Sequence, residues 1–252
     1  MARGVYSSAN YFRLSSAPVS TTPLTIACWI TIGTNLSTNQ RFFGIYNTGG
    51  GAETTPAGFE LNTQSANGTP GATTLQTASS ASGLGPTQIV LDTWSHVAGV
   101  FASDASRICY LNGSAGAENT TSKTPPYTPN NVLLGARINV DSSIGGSTGT
   151  LTQLAEAAIW NVALTAAEIL QLSLGYSPLF VRPESLAVYY PLIRGDASGD
   201  EPDYMGGLTM VEQGTVAVQT HTRVFYPSSP IKLGVPAAAP PAGNPWYAYA
   251  QM

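Results

Sequence analysis

Apolar and polar side chains alternate along most of this chain with the two-residue period of a β-strand. PLTIACWITI (23–32) sets the habit. RFFGIYN (41–47), GFELN (58–62), TQIVL (87–91), WSHVAGVFA (94–102), RICYLNG (107–113), NVLLGAR (131–137) and LTQLAEAAIWN (151–161) repeat it, with β-branched and aromatic residues prominent. Clusters of Gly, Ser, Asn and Pro such as NTGGGAETTPAG and SSIGGSTG fall between these runs and predict turns. Short strands at near-regular spacing, without helical crossovers, predict a sandwich of antiparallel sheets.

One segment breaks the period. Thr165-Ala166-Ala167-Glu168 reads as a capping box, followed by Ile169, Leu170, Leu172 and Leu174 and then by Gly175 as the left-handed terminator. This predicts a helix of about three turns against one edge of the sandwich. SLAVYYPLI (185–193) returns to strand, and GLTMVEQGTVAVQTHTRVFY (207–226) holds two or three weaker ones. From Pro227 onward, prolines at 227, 230, 236, 240, 241 and 245 predict an extended arm. Its tip carries Trp246, Tyr247 and Tyr249, which bury large areas for few rotors and so read as anchors on a partner. The expected organisation is a sandwich over 1–193, an accessory loop and strands packed on it over 194–226, and the arm over 227–252.

Composition narrows the function. Hydrophobic residues make up 43% of the 252, enough for a sizeable core. Charged residues are only 10%, against about 25% in ordinary soluble domains. With a net charge of −4 and no run of Lys or Arg, neither nucleic acid nor an anionic membrane is an expected partner. The opening MARGVYSSANYFRLSSAPVS lacks the apolar run of a secretory signal, so synthesis in a reducing cytosol is expected. Cys28 and Cys109 both lie in apolar strand-like runs, which favours two buried thiols over a disulfide.

Three segments in order resemble the laminin-G-like domains of the concanavalin A-like lectin/glucanase superfamily. PLTIACWI resembles their early core strand. WSHVAGVFASDASRICYLNG resembles their central hairpin, and LAEAAIWNVALTAAEI their late strand and capped helix. The resemblance implies an all-β jelly roll of two curved sheets. Related domains bind glycans, proteins or calcium, and distant relatives hydrolyse glucans. Similar sequences of this lean form resemble virion proteins of tailed bacteriophages. That implies a capsid decoration protein or a head or tail fibre component, made in the host cytoplasm and residing in the virion. Its implied partners are the major capsid protein, further copies of itself in a homo-oligomer, and a host surface glycan as an alternative ligand.

The chain offers few groups suited to catalysis or metal binding. A retaining glucanase needs two carboxylates about 5 Å apart. Glu156 is the only carboxylate in the late strand, so it is expected to bond a backbone or anchor a loop, and no catalytic residue is assigned. His96 and His221 stand apart, without the neighbours of a zinc site; a structural hydrogen bond is expected of His96. Asp196, Asp200, Glu201 and Asp203 cluster in RGDASGDEPD as oxygen ligands suited to calcium, although their spacing matches no standard calcium loop. No other cofactor is expected. For glycan, Tyr46, Asn47, Tyr127 and Asn139 are the loop candidates, because sugar recognition couples stacking rings to amides. Trp29, Trp94 and Trp160 are expected in the core.

Overall fold

The structure is a computed structural model describing residues 2–4, 6–33, 39–47, 57–64, 68–76, 79–139, 143–146, 151–195 and 199–227. The arm beyond Pro227, with Trp246, Tyr247 and Tyr249, and also Asp196, lie outside the described residues. The first strands are β1 (Ala2–Gly4), β2 (Tyr11–Leu14), β3 (Leu24–Ile32), β4 (Arg41–Tyr46), β5 (Gly58–Thr63), β6 (Pro70–Gln76) and β7 (Ser79–Leu84). They are followed by β8 (Ser95–Ser103), β9 (Ser106–Leu111), β10 (Ser114–Ala115), β11 (Asn131–Leu134), β12 (Ala136–Ile138), β13 (Ile144–Gly146) and β14 (Leu151–Trp160). Helix α1 (Ala166–Ser173) and 3₁₀ turns at Pro178–Phe180 and Pro183–Ser185 come next. β15 (Leu186–Tyr190), β16 (Glu201–Pro202), β17 (Thr209–Gln213) and β18 (Ala217–Gln219) complete the elements of the described residues.

Two antiparallel sheets form the sandwich. One runs β10-β9-β8-β3-β14-β1-β18 with β15 also paired to β14; the other runs β16-β17-β2-β11-β4-β5-β6-β7. Period-two alternation sends one set of side chains inward from each sheet. Leu24, Ile26, Cys28, Ile30, Val97, Phe101 and Ile159 of the first meet Phe43, Ile45, Phe59, Leu61, Val132 and Leu134 of the second. Cys28 and Cys109 are buried free thiols within this core, and burial pushes both well above the usual thiol range.

Residues 194–226 do not pack upon a finished sandwich. β17 pairs with β2 and β18 with β1, so the segment completes both sheets. A buried ion pair fastens it: Arg3 Nε donates to Glu201 Oε1 at 2.6 Å, with both side chains almost wholly out of solvent. The run TQIVL is likewise not a strand. Residues 87–90 form a loop that buries Ile89 and leaves Val90 exposed.

Helix α1 starts as its sequence dictates. Glu168 N–H donates to Thr165 Oγ1 and Thr165 N–H to Glu168 Oε2. It ends with Gly175 at φ +90, where Gly175 N–H reaches Leu172 O and Tyr176 N–H reaches Gln171 O. Its apolar side lies on the outer face of the first sheet, where Ile169 and Leu172 pack with Ala98, Val100, Tyr110 and Trp160. Among the described residues no helix is long and apolar enough to cross a membrane.

Candidate functional site

The second sheet turns its other face away from the core, and alternation places Tyr11, Arg13, Leu133, Tyr46, Glu60, Asn62, Thr73 and Leu75 there. Gly135, at φ +77, lets the chain swing from β11 into β12, where a Cβ would collide with the Tyr6 ring. The β12–β13 hairpin brings Ala136 and Ile138 onto Tyr46, Leu133 and Leu75. Beside this apolar contact lies a polar network. Tyr46 Oη donates to Glu60 Oε2 (3.0 Å), Asn62 Nδ2 to Glu60 Oε1 (2.7 Å), and Thr73 Oγ1 to Asn62 Oδ1 (3.3 Å). Arg41 stands 3.8 Å from Glu60.

Tyr46 is therefore not a loop residue open to sugar. It lies in β4 at 0% exposure, and burial pushes its hydroxyl well above the usual range, the nearby Glu60 charge adding to the effect. The edge of this face is different. Asn47 Nδ2 donates to Thr128 O at 2.7 Å, and Asn130 N–H to Tyr46 O at 2.8 Å, which draws residues 127–131 onto the end of β4. Asn47 and half-buried Tyr127 thus share one rim. Exposed Asn130 joins them, as does half-buried Arg13, whose Nε donates to Asn131 Oδ1 at 2.9 Å. Nothing in the alternation of β2 marks Arg13 as a rim residue, and Asn130 precedes β11; the pairing of β2 with β11 and the Arg13–Asn131 bond bring the two near each other. Asn139 is not brought to this rim contact. It accepts from Arg137 Nε and donates twice to Ser143, from Nδ2 to Oγ and from its backbone N–H to the carbonyl, closing its own hairpin.

Of the four acids suited to calcium, Asp196 lies outside the described residues and the other three are engaged elsewhere. Glu201 is committed to Arg3, while Asp203 Oδ1 accepts from Tyr189 N–H and Met205 N–H, capping a turn. Asp200 Oδ1 accepts from Glu212 N–H. Each acid is thus held by its own donors, and among the described residues no group of three or more acids, His or Cys is arranged to hold a metal ion. Burial raises Asp203 to about 6 against those two backbone bonds.

On the first sheet, Glu156 stands at φ +55 where the register of β14 slips against β3 between Ala155 and Ala158. This bulge carries its carboxylate, 3% exposed, to the face that bears α1. Tyr189 Oη donates to Oε2 and Tyr226 Oη to Oε1, with His221 Nε2 at 3.1 Å from Oε1. His221 faces acceptors on both ring nitrogens: Nδ1 lies 2.6 Å from Thr222 O, and Nε2 lies 3.1 Å from Pro191 O. A ring so placed donates from both nitrogens only as the cation. Burial works against that charge, but the Glu156 bond and charge together with the bonds to Thr222 O and Pro191 O outweigh it, and His221 is raised above its ordinary value. Glu156 thus anchors residues 221–226, the root of the arm, as a loop-anchoring carboxylate should.

These observations meet known proteins at the level of fold. Residues 6–170, well over half of the chain, match the laminin G family model of the concanavalin A-like lectin/glucanases superfamily. The chain belongs to this family. Of solved structures, the laminin-G-like sandwich is similar to a protein from Bacteroides ovatus ATCC 8483 put forward as carbohydrate binding (16% identity, 89% of this chain, 61% of that one, TM-score 0.61). It is also similar to the heptameric SAP-like pentraxin of Limulus polyphemus (19% identity, 65% of this chain, 75% of that one, TM-score 0.50). The chain therefore spans about three fifths of the Bacteroides protein. No curated protein matches it in sequence.

Within the laminin-G-like core the tryptophans divide. Trp160 is fully buried and donates from Nε1 to Val181 O at 2.7 Å, whereas Trp29 and Trp94 are half-buried. Trp29 meets the His96 ring edge-on at 5.4 Å. The structural bond expected of His96 runs through its backbone: His96 N–H donates to Asn112 Oδ1, while among the described residues Nδ1 has no partner. Burial lowers His96 to about 3, so it is neutral and contributes no charge to a site.

Proposed function

We propose that this laminin-G-like domain is a non-catalytic carbohydrate-recognition module. It holds an oligosaccharide at the rim of its hairpin-covered sheet, with Tyr127 stacking on a sugar ring and Asn47, Asn130 and Arg13 bonding hydroxyls. The observation that carries this reading is the set of bonds joining Asn47 to Thr128, Asn130 to Tyr46 and Arg13 to Asn131, because together they bring the segment bearing Tyr127, the amides and a guanidinium to one edge. The fold shared with the Bacteroides protein supports the ligand class. The absence of turnover is proposed on the setting of Glu156, whose carboxylate meets two tyrosines and a histidine where a glucanase needs a second acid. A glycan array probed with the whole chain, then with the Asn47→Ala/Tyr127→Ala pair, tests the reading. Defined oligosaccharides should be retained by the wild type, and the pair should weaken them about tenfold or more, the loss of one stacked ring and one amide contact, while a melting temperature lowered only slightly shows that the sandwich is still folded. A blank array, or full retention by the pair, contradicts the rim.

A structural role in a tailed-phage virion, as capsid decoration or as a head or tail fibre component, is the second reading. It is favoured by the fixed root of the arm. Phe225 N–H donates to Gly175 O, Ser177 N–H to Phe225 O, and Tyr226 Oη to Glu156, so the arm leaves the sandwich from a rigid point. An arm anchored in this way suits a grip on neighbouring subunits such as a capsid protein.

A further inference from the structure

Where that root meets the end of α1, aromatic rings stand in solvent. Tyr176 (45% exposed) packs edge-on against Phe180 (44%) with centroids 5.9 Å apart, and Phe225 (64%) lies 5.9 Å from the other side of Tyr176. Leu174, 61% exposed, precedes the turn that presents them. The three rings are held rigidly. Gly175 and Ser177 bond Phe225 on both backbone groups, forming a short parallel bridge between residues 176 and 225, and the 3₁₀ turn Pro178–Phe180 fixes the third ring. Other large apolar side chains are exposed, among them Val90 and Val211, but here three rings touch one another beside an exposed leucine in the sequence, which makes a contiguous apolar patch.

We infer that this face, Leu174, Tyr176, Phe180 and Phe225, receives the aromatic segment Trp246–Tyr249 of a second copy of the chain. The arm that carries this segment follows directly on the face: Ser228 is three residues past Phe225. Residues 228–252 contain a single charge, Lys232, beside Ile231, Leu233, Val235, Trp246, Tyr247 and Tyr249, so an uncharged face needs no ion or amide to match them. Rings at unequal angles, with a leucine beside them, suit interdigitation with aromatic and aliphatic side chains better than the flat stacking a sugar requires. Five prolines, at 230, 236, 240, 241 and 245, separate root from tip. The proline density of the sequence predicts a stiff spacer, about 3.1 Å per residue where it is extended, and such a spacer favours a neighbour's face over the chain's own. Exchanged between two copies the contact closes a dimer; passed from copy to copy it builds a larger assembly.

This inference does not depend on glycan recognition at the opposite sheet, and its test reads a different quantity. Light scattering behind size exclusion, run on the full chain across a broad concentration range, should give a mass above one chain. Phe180→Ser/Phe225→Ser should run as one chain, and so should Trp246→Ala/Tyr249→Ala, which leaves the sandwich untouched and guards against a folding defect in the first pair. Mixed in equal amounts, the two variants should recover a heterodimer, since one retains the arm and the other the face. A wild type that stays one chain throughout overturns the inference, and if its Trp246 is then shielded from acrylamide, the occupant is the chain's own arm. An oligomer that survives both pairs overturns it equally.

Discussion

Glu156 adopts a left-handed backbone conformation in the middle of a strand, flanked by Leu154, Ala155, Ala157 and Ala158, a setting that costs on the order of 1 kcal/mol for a residue with a Cβ. The return is a carboxylate carried to the outer face, where Tyr189, Tyr226 and His221 converge on it. Its isolation among alanines was readable in the sequence, and so was an anchoring role. Its partners were not, because they lie 33 to 70 residues further on and are joined only by the fold. Tyr46 erred in the opposite direction: it sits beside a Gly-rich stretch that promises a loop, yet the returning hairpin buries it. The Glu156 cluster makes a pH prediction. A histidine raised above its ordinary value, near 6.5, stabilises the fold fully below that value, and the stabilisation is lost as pH rises through the raised one. His221→Gln should therefore lower stability by about 1–3 kcal/mol in mildly acidic buffer, as expected for a charged hydrogen bond, and by progressively less toward alkaline pH. Thermal melts of both proteins across that range check it; a constant difference would show that His221 is neutral in the fold.

Among the elements, those with strong local chemistry were the most legible. Thr165, Glu168 and Gly175 fix both ends of α1 through bonds between near neighbours, and the structure reproduces each one. Thr165→Ala removes an N-cap and half of the capping box and should cost about 1 kcal/mol, read as a lower denaturant midpoint with unchanged slope. A midpoint that does not move would mean the helix is held by its packing on Ala98 and Val100 alone. β6 and β7 escaped notice because PGATTLQ and SSASGL hold few large apolar residues. They become strands by pairing with β5 and with each other, an energy that tertiary contact supplies and local pattern does not show. TQIVL has the reverse history: three apolar residues in sequence, of which only Ile89 reaches the core.

At the scale of the whole molecule, the order of strand, hairpin and capped helix was enough to reveal the sandwich and its family, because core alternation spans the chain from 23 to 193. The limits of the domain were less visible. Residues 201–219 look weakly patterned, but Glu201 meets Arg3 across 198 positions of sequence and β17 and β18 extend both sheets, so the first and last described strands are neighbours. This closure leaves two surfaces on opposite sides: the Asn47–Tyr127 rim on one sheet and, on the other, the aromatic face at the root of the arm. The central claim is that the rim binds sugar by contact and leaves every glycosidic bond intact. The most direct measurement is to incubate the full chain with an oligosaccharide it retains, follow binding by calorimetry, and then analyse the recovered sugar by mass spectrometry. Saturable binding with the oligosaccharide returned at its original mass is the predicted result. Shortened products, or no heat with any retained glycan, would contradict it.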